Sequence, residues 1–279
     1  MTQPILQVKD LYYAYNDEKT ALNGIDLAIY PGEKIAVVGS NGAGKSTFFL
    51  NVNGVLSPEH GEIRFKDIPI TKKTLPQLRK NIGIVFQDAD NQIIASSVRA
   101  EVSFGPMNLK LPREEVVERV NMAMDYMNLN GFADRPPHYL SGGEKKRVAI
   151  ADIIAMKSEV IIFDEPTAAL DPLNANMLEQ VLDQLTQEGK TLLVSTHDVN
   201  FTYRWADRVL VFCQGKIIAD GTPREIFTND EVVKKANLMR PTMLDVYEQL
   251  VAHHLLPKDD KYPKDVEEFA KYLKNHFDE

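Results

Sequence analysis

Nine consecutive residues carry the strongest chemical signal in the chain. Gly39, Ser40, Asn41, Gly42, Ala43, Gly44, Lys45, Ser46 and Thr47 satisfy the pattern G-x-x-x-x-G-K-[ST] with a further Thr behind it. The glycines let main-chain N–H groups turn inward around a run of phosphates. The helix expected after them adds the positive end of its dipole. Lys45 is then placed to reach the β- and γ-phosphates of a nucleoside triphosphate, and the Ser46 hydroxyl to ligate Mg²⁺. An ordinary Gly-rich turn between a strand and a helix needs neither the lysine nor the hydroxyl.

A second signal closes an apolar run. Val160, Ile161, Ile162 and Phe163 lead into Asp164 and Glu165, so both acids fall where a buried strand emerges from its sheet, the usual place for a ligand site. Asp164 is placed to hold Mg²⁺ and Glu165 to orient and deprotonate an attacking water. Asp-Glu-Pro by itself also makes an ordinary turn; the phosphate loop upstream favours the chemical reading.

A third stretch, Leu140-Ser141-Gly142-Gly143-Glu144, precedes the basic run Lys145-Lys146-Arg147. Ser141 and Glu144 have the spacing of a capping box, and a capped helix N-terminus with two glycines is also an anion site. Between the phosphate loop and the acidic strand end, this stretch resembles the signature motif of ATP-binding-cassette ATPases. The family's other motifs stand in order. Gln87 looks like the Q-loop glutamine, Ala169-Leu170-Asp171 like the D-loop and His197 like the switch histidine. Tyr15 sits where the family stacks an aromatic on adenine. Alone, each has a plainer reading: a polar loop residue, a surface histidine, a packing aromatic in the cluster Tyr12-Tyr13-Ala14-Tyr15. Together they are far more specific, and the resemblance covers roughly residues 5–225. The chain departs from it at Glu144, where glutamine is commoner. An ionised carboxylate accepts hydrogen bonds but cannot donate them, so a modest change in affinity is expected there, without loss of function.

The resemblance implies an α/β fold: a P-loop NTPase core of the ABC ATPase type with an antiparallel β subdomain, a helical subdomain and a C-terminal helical extension. The expected division is 1–98 for the β subdomain and nucleotide-binding core and 99–156 for the helical signature subdomain. Residues 157–223 return to the core and 224–279 form the extension. It implies ATP and Mg²⁺ as ligands, with Ser46, Gln87 and Asp164 toward the metal and Glu165, His197 and Gln87 as catalytic residues. Nucleotide would lie on Tyr15 and residues 39–47 of one copy and on Ser141, Gly142 and Gly143 of a second, facing copy. ATP then acts as glue between the copies, and hydrolysis at Glu165 releases it. His197 contacts the γ-phosphate and reports its loss.

Two features narrow the family. Asp88-Ala89-Asp90-Asn91-Gln92-Ile93-Ile94 and Val102-Ser103-Phe104-Gly105-Pro106-Met107-Asn108-Leu109 resemble the energy-coupling-factor importers, and within them the cobalt-type import ATPases. Ile93, Ile94, Phe104 and Met107 are expected to line a groove for a membrane subunit's coupling helix; the plainer alternative makes them core of the helical subdomain. The partners implied are a second ATPase subunit, identical or a sister chain, an integral membrane transport subunit and a solute-binding membrane subunit. The cargo would be cobalt or nickel ions or a water-soluble vitamin. The second feature is the tail after Pro223, longer than a minimal cassette, where Val246, Leu250, Val266, Phe269 and Leu273 read as faces of packed helices.

These groups need elements to hold them. The pattern predicts strands at 5–11, 34–38, 62–65, 81–86, 160–163 and 191–195, and a hairpin with arms at 208–214 and 217–219 about Gly215. Helices are expected after the phosphate loop, from Pro112 to an end at Gly131, over 142–156 and over 174–188. Strands alternating with helices argue for a parallel α/β core.

Composition agrees and excludes much else. The chain has 279 residues, 44% hydrophobic and 26% charged, the make-up of an ordinary folded protein. Its net charge of −8 gives no pointer to nucleic acid. Cys213 is its one cysteine, which rules out an internal disulfide framework and fits a reducing compartment. No signal peptide is read at residues 1–10, and no stretch approaches the ~20 apolar residues of a membrane span. The expected place is therefore peripheral, on the cytoplasmic face of the cell membrane. Competing classes fare worse. Chromosome-maintenance ATPases carry a long heptad insertion between phosphate loop and signature, absent here. Translation-associated cassette proteins carry two cassettes, and a metabolic P-loop kinase needs neither residues 140–144 nor His197. A non-transport cassette ATPase acting on nucleic acid or ribosomes is the remaining alternative.

Overall fold

The computed structural model describes residues 3–15, 20–168, 170–257 and 262–277. The chain opens with strands β1 (Leu6–Ala14), β2 (Thr20–Ile29) and β3 (Lys34–Val38), then helix α1 (Lys45–Val52). β4 (His60–Phe65), β5 (Ile68–Pro69), α2 (Leu75–Asn81) and β6 (Ile82–Val85) follow. Three helices come next: α3 (Val98–Asn108), α4 (Arg113–Tyr126) and α5 (Gly142–Met156). β7 (Val160–Asp164), α6 (Pro172–Gln187), β8 (Thr191–Ser195) and α7 (Val199–Trp205) return to the sheet, which β9 (Arg208–Cys213) and β10 (Lys216–Gly221) complete. The tail is α8 (Pro223–Phe227), α9 (Asp230–Lys235), α10 (Thr242–Ala252) and α11 (Val266–Phe277).

The larger sheet has the order β10-β9-β3-β8-β7-β6 and is parallel except for the β9–β10 hairpin. Its inner strands are apolar at consecutive positions because both faces are covered. The alternation of side chains sorts those positions into two cores. Ile35, Val37, Ile162, Leu193, Leu210 and Phe212 face α1 and the smaller sheet. Ala36, Val38, Ile161, Phe163, Leu192 and Val194 face α5 and α6. Each fully buried aliphatic or aromatic side chain contributes roughly 1.5–3 kcal/mol. The smaller sheet is antiparallel, β2-β1-β4-β5.

β2 has no counterpart among the expected strands. Its buried residues Leu22, Ile25, Leu27 and Ile29 break period two, because the register of β1 against β2 shifts between Leu11 and Tyr12. Gly24, at φ +68°, sits in that break. α2, α3 and α7 were not expected as helices either. α2 buries Leu78 alone, too little to give a periodic signal. α3 carries Gly105 and Pro106, both helix breakers. There Gly105 is required: a Cβ on it would lie 2.5 Å from Met156 Cγ on α5.

α4 stops at Tyr126, short of the expected end at Gly131. Asn128 takes the left-handed conformation that terminates a helix, at φ +50°, and Met127 and Leu129 on either side are fully buried. Gly131 lies in a 3₁₀ turn beyond. In the tail Leu250, Phe269 and Leu273 pack around Tyr247, Leu256 and Tyr272, whereas Val246 and Val266 are exposed. Three of the five expected residues thus pack, around a centre made mostly of tyrosines.

Candidate functional site

The carboxyl ends of β3, β7 and β8 open on one cavity of about 610 Å³. Tyr15, Asn41 to Thr47, Gln87, Asp164, Glu165 and His197 all line it, together with Thr20, Ala21, Gln214 and Gly215. Residues far apart in the chain thus meet as strand order demands, at the edge where parallel α/β sheets bind ligands.

Gly39 and Ser40 stand behind the loop. Lys45 Nζ donates to the Gly39 carbonyl at 2.7 Å and to Ser40 O at 3.4 Å. Burial pushes its ammonium down, opposed by the charges of Glu165 and Asp164. The loop is wedged by close approach: a Cβ on Gly44 would sit 2.7 Å from Ala21 O, and one on Gly215 2.8 Å from the same oxygen. Gly215 N donates to Ala43 O at 2.9 Å. The β9–β10 hairpin therefore supports the phosphate loop through a two-residue turn, Gln214 and Gly215, both at positive φ. Tyr15, 54% exposed, donates to or accepts from Thr47 Oγ1 at 3.0 Å and meets Tyr13 edge-on. Its ring is thus held at the cavity mouth.

Asp164 and Glu165 are both buried. Ser195 Oγ donates to Asp164 Oδ1 at 2.6 Å and accepts from Glu165 N at 2.9 Å. Glu165 has φ +46°, a strained conformation for a non-glycine residue. Ser195 holds that backbone in place. Burial pushes the Glu165 carboxyl up; His197 and Lys45 pull the other way. His197 Nε2 lies 3.1 Å from Glu165 Oε1. A buried carboxyl made more basic by its surroundings is suited to taking a proton from water.

The donor set fits Mg²⁺. Ser46, Gln87 and Asp164 present hard oxygen groups to one cavity. Among the described residues no three His, Cys, Asp or Glu side chains form a metal cage of their own.

Ser141, Gly142 and Gly143 do not line this cavity. They cap α5 at the surface. Ser141 Oγ accepts from Glu144 N at 3.3 Å, and Glu144 Oε2 accepts from Ser141 N at 2.7 Å, which holds the Glu144 carboxyl below its usual range. Glu144 thus spends its acceptor on its own helix, consistent with the capping box read from sequence. In the D-loop stretch, Ala169 lies outside the described residues, and Asp171 caps α6 by accepting from Asn174 N at 2.9 Å.

Sequence reasoning missed Ser195, Thr20, Ala21 and Gln214. Only Ser195 left a trace, as a polar residue ending an apolar strand two positions before His197. Ile94, Phe104 and Met107 are exposed, at 70%, 46% and 64%, and Ile93 packs half-buried against the core. Three of the four groove residues are therefore surface, not core.

A profile of the ABC transporter family matches residues 22–168. The chain is 47% identical over 261 residues, 93% of its length and 91% of the other's, to the energy-coupling factor transporter ATP-binding protein EcfA of Methanocaldococcus jannaschii. Its structure resembles cbiO1 of Clostridium perfringens, described as part of the ABC transporter complex cbiONQ. The TM-score is 0.74 at 42% identity, over 90% of this chain and 99% of that one. It also resembles an ATP-binding cassette solved as a dimer in a post-hydrolysis state with ADP and phosphate. There the TM-score is 0.72 at 30% identity, over 78% of this chain and 99% of that one.

Proposed function

This chain belongs to the ABC transporter family as an ATP-binding, ATP-hydrolysing subunit of the energy-coupling-factor type, and from that premise we propose that it works as half of a head-to-tail ATPase pair powering solute uptake. The observation that carries this reading is a divided site. Tyr15, the phosphate loop, Gln87, Asp164, Glu165 and His197 surround one cavity, while Ser141, Gly142 and Gly143 stand outside it. A second copy's signature helix N-terminus would supply the missing anion contacts. The solved dimer of a similar cassette supports the pairing.

In such a site Lys45 releases Gly39 O and turns to the β- and γ-phosphates. Tyr15 stacks on the base. Glu165 takes a proton from water as the water oxygen attacks the γ-phosphorus; the bond to the ADP oxygen breaks, leaving ADP and phosphate. His197 holds the γ-phosphate. Mg²⁺, when bound, offsets charge on the phosphates, and Ser46, Gln87 and Asp164 are the groups toward it.

The exposed edge formed by Ile94, Phe104 and Met107 supports docking of a membrane subunit's helix beside Gln87. Among the described residues no helix is long and apolar enough to cross a membrane, so membrane attachment would come through that partner, on the cytoplasmic face. The cargo, cobalt, nickel or a vitamin, would be chosen by a separate solute-binding subunit. The division at residues 98, 156 and 223 belongs to this proposal. Co-purification of the tagged chain from mild-detergent membranes tests it. A small polytopic membrane protein, alone or with a second ATPase, is the expected companion. Nucleic acid or ribosomes without a membrane protein would overturn the transport reading.

A further inference from the structure

The first three turns of α5 do more than present the signature. Lys146 is 1% exposed, and its Nζ donates to two main-chain carbonyls, Phe86 O at 2.7 Å and Gln87 O at 3.0 Å. One turn on, the carbonyl of Ala149 accepts from Gln92 Nε2 at 2.9 Å. Gln92 turns its Oε1 back to Phe86 N at 3.3 Å. Lys145 pairs with Asp90 at 2.6 Å. The segment from Phe86 to Gln92 leaves the end of β6, yet its polar ties run to α5. Its two ends of interest are Gln87, in the nucleotide cavity, and the exposed Ile94 beyond.

We propose that Lys146 is a positioning residue for ATP hydrolysis: it clamps the main chain at Phe86 and Gln87 to the signature helix, so that Gln87 and Ser141–Gly143 move as one body. Lys146 touches no reacting atom. It acts through the carbonyl of the residue whose side chain enters the cavity. A buried ammonium bound to two carbonyls is a strong, directional tie. Such a clamp has a consequence that rests on the head-to-tail reading. Gln87 serves the nucleotide on its own phosphate loop, and Ser141–Gly143 the nucleotide on the partner's. One chain's Lys146 therefore links the two ATP sites, and occupation of one alters the geometry of the other. The link is a coupling between two binding sites in the thermodynamic sense.

The test compares the purified full-length chain with Lys146→Met, which keeps the stem and removes the charge. Binding of a fluorescent, non-hydrolysed ATP analogue and steady-state ATPase are both measured against concentration. The expected result is an analogue Kd within about twofold of wild type with kcat lower by ~10–100-fold, the range that small misplacements cost. The Hill coefficient for ATP should fall toward about 1. Lys146→Arg, which restores charged donors, should recover part of kcat. Gln92→Ala cuts the neighbouring tie, leaving the Lys146 clamp in place and taking one amide contact from Asp152, and should move kcat and Hill coefficient the same way by less; it carries the test if Lys146→Met does not fold. Unchanged kcat and Hill coefficient in Lys146→Met and Gln92→Ala would overturn the proposal. So would equal losses of analogue binding and kcat, the sign of a merely structural role. A wild-type chain with concentration-independent activity and no cooperativity sinks the head-to-tail reading instead; the positioning role is then still decided by kcat at unchanged Kd.

Discussion

Ser195 is the residue on which the acidic end of β7 depends. Its hydroxyl bridges Asp164 Oδ1 and the Glu165 N–H, both buried. Ser195→Ala leaves that N–H without its partner, a loss of about 1–3 kcal/mol, and frees a backbone held at positive φ. We expect a lower Tm and an ATPase kcat reduced ~10-fold or more, with analogue binding retained. Retained kcat would mean that Glu165 needs no such support. Asp152 on α5 makes a different prediction. Burial, and then the charge of Glu101 on α3, pushes its carboxyl up to about 7; the Gln92 amide and the Gly105 N–H only partly offset this. The folded value lies above the unfolded one of ~3.9. The stability it contributes is therefore full at acid pH and is lost as pH rises through about 7. Asp152→Asn removes the titration. The variant should gain on wild type by about 2 kcal/mol between about pH 5 and about pH 8, a few degrees in Tm. A pH-independent difference would show that the carboxyl titrates normally.

At the scale of elements, the site is made by strand ends and helix starts brought into register. β3 delivers the phosphate loop, β7 the two carboxylates and β8 Ser195 and His197, because these three strands are neighbours in parallel. The β9–β10 hairpin braces the loop from below. α3 and the turn before it offer Ile94, Phe104 and Met107 to solvent. Charging that edge with Ile94→Asp should cost little stability, since the side chain is 70% exposed. It should release the ATPase from a membrane partner while ATP binding persists. Intact assembly in a pull-down would exclude this edge as the docking site. Much at this level was readable from pattern: α5 and the strands at 34–38 and 191–195 fall as expected. β2 was not, since a bulge breaks its alternation, and neither was α3, whose Gly-Pro pair reads as a break while the tertiary contact with α5 tolerates it.

For the whole molecule, the decisive fact is that the nucleotide cavity and the signature helix N-terminus lie apart on one chain. An ATPase completed by a second copy has a specific activity that rises with protein concentration until the pair is saturated, as binding linked to mass action requires. Dilution series of the purified chain should show that rise, flattened when the pair is pre-formed. Activity proportional to concentration throughout would favour a site complete within the monomer.

The sequence alone pointed to the groups proposed to do chemistry. A lysine and a hydroxyl in a glycine loop, two acids after an apolar run, and a capping box with two glycines are each short-range patterns, and local geometry fixes their meaning. Whether these groups meet depends on strand order, which no local pattern encodes. Only the tertiary structure placed β8 between β3 and β7. It also showed Ser195 holding Glu165, turned Gln214 and Gly215 under the phosphate loop, and buried Lys146 against Gln87. Those four arise from contacts between segments distant in the chain, where a side chain's role is set by what packs on it.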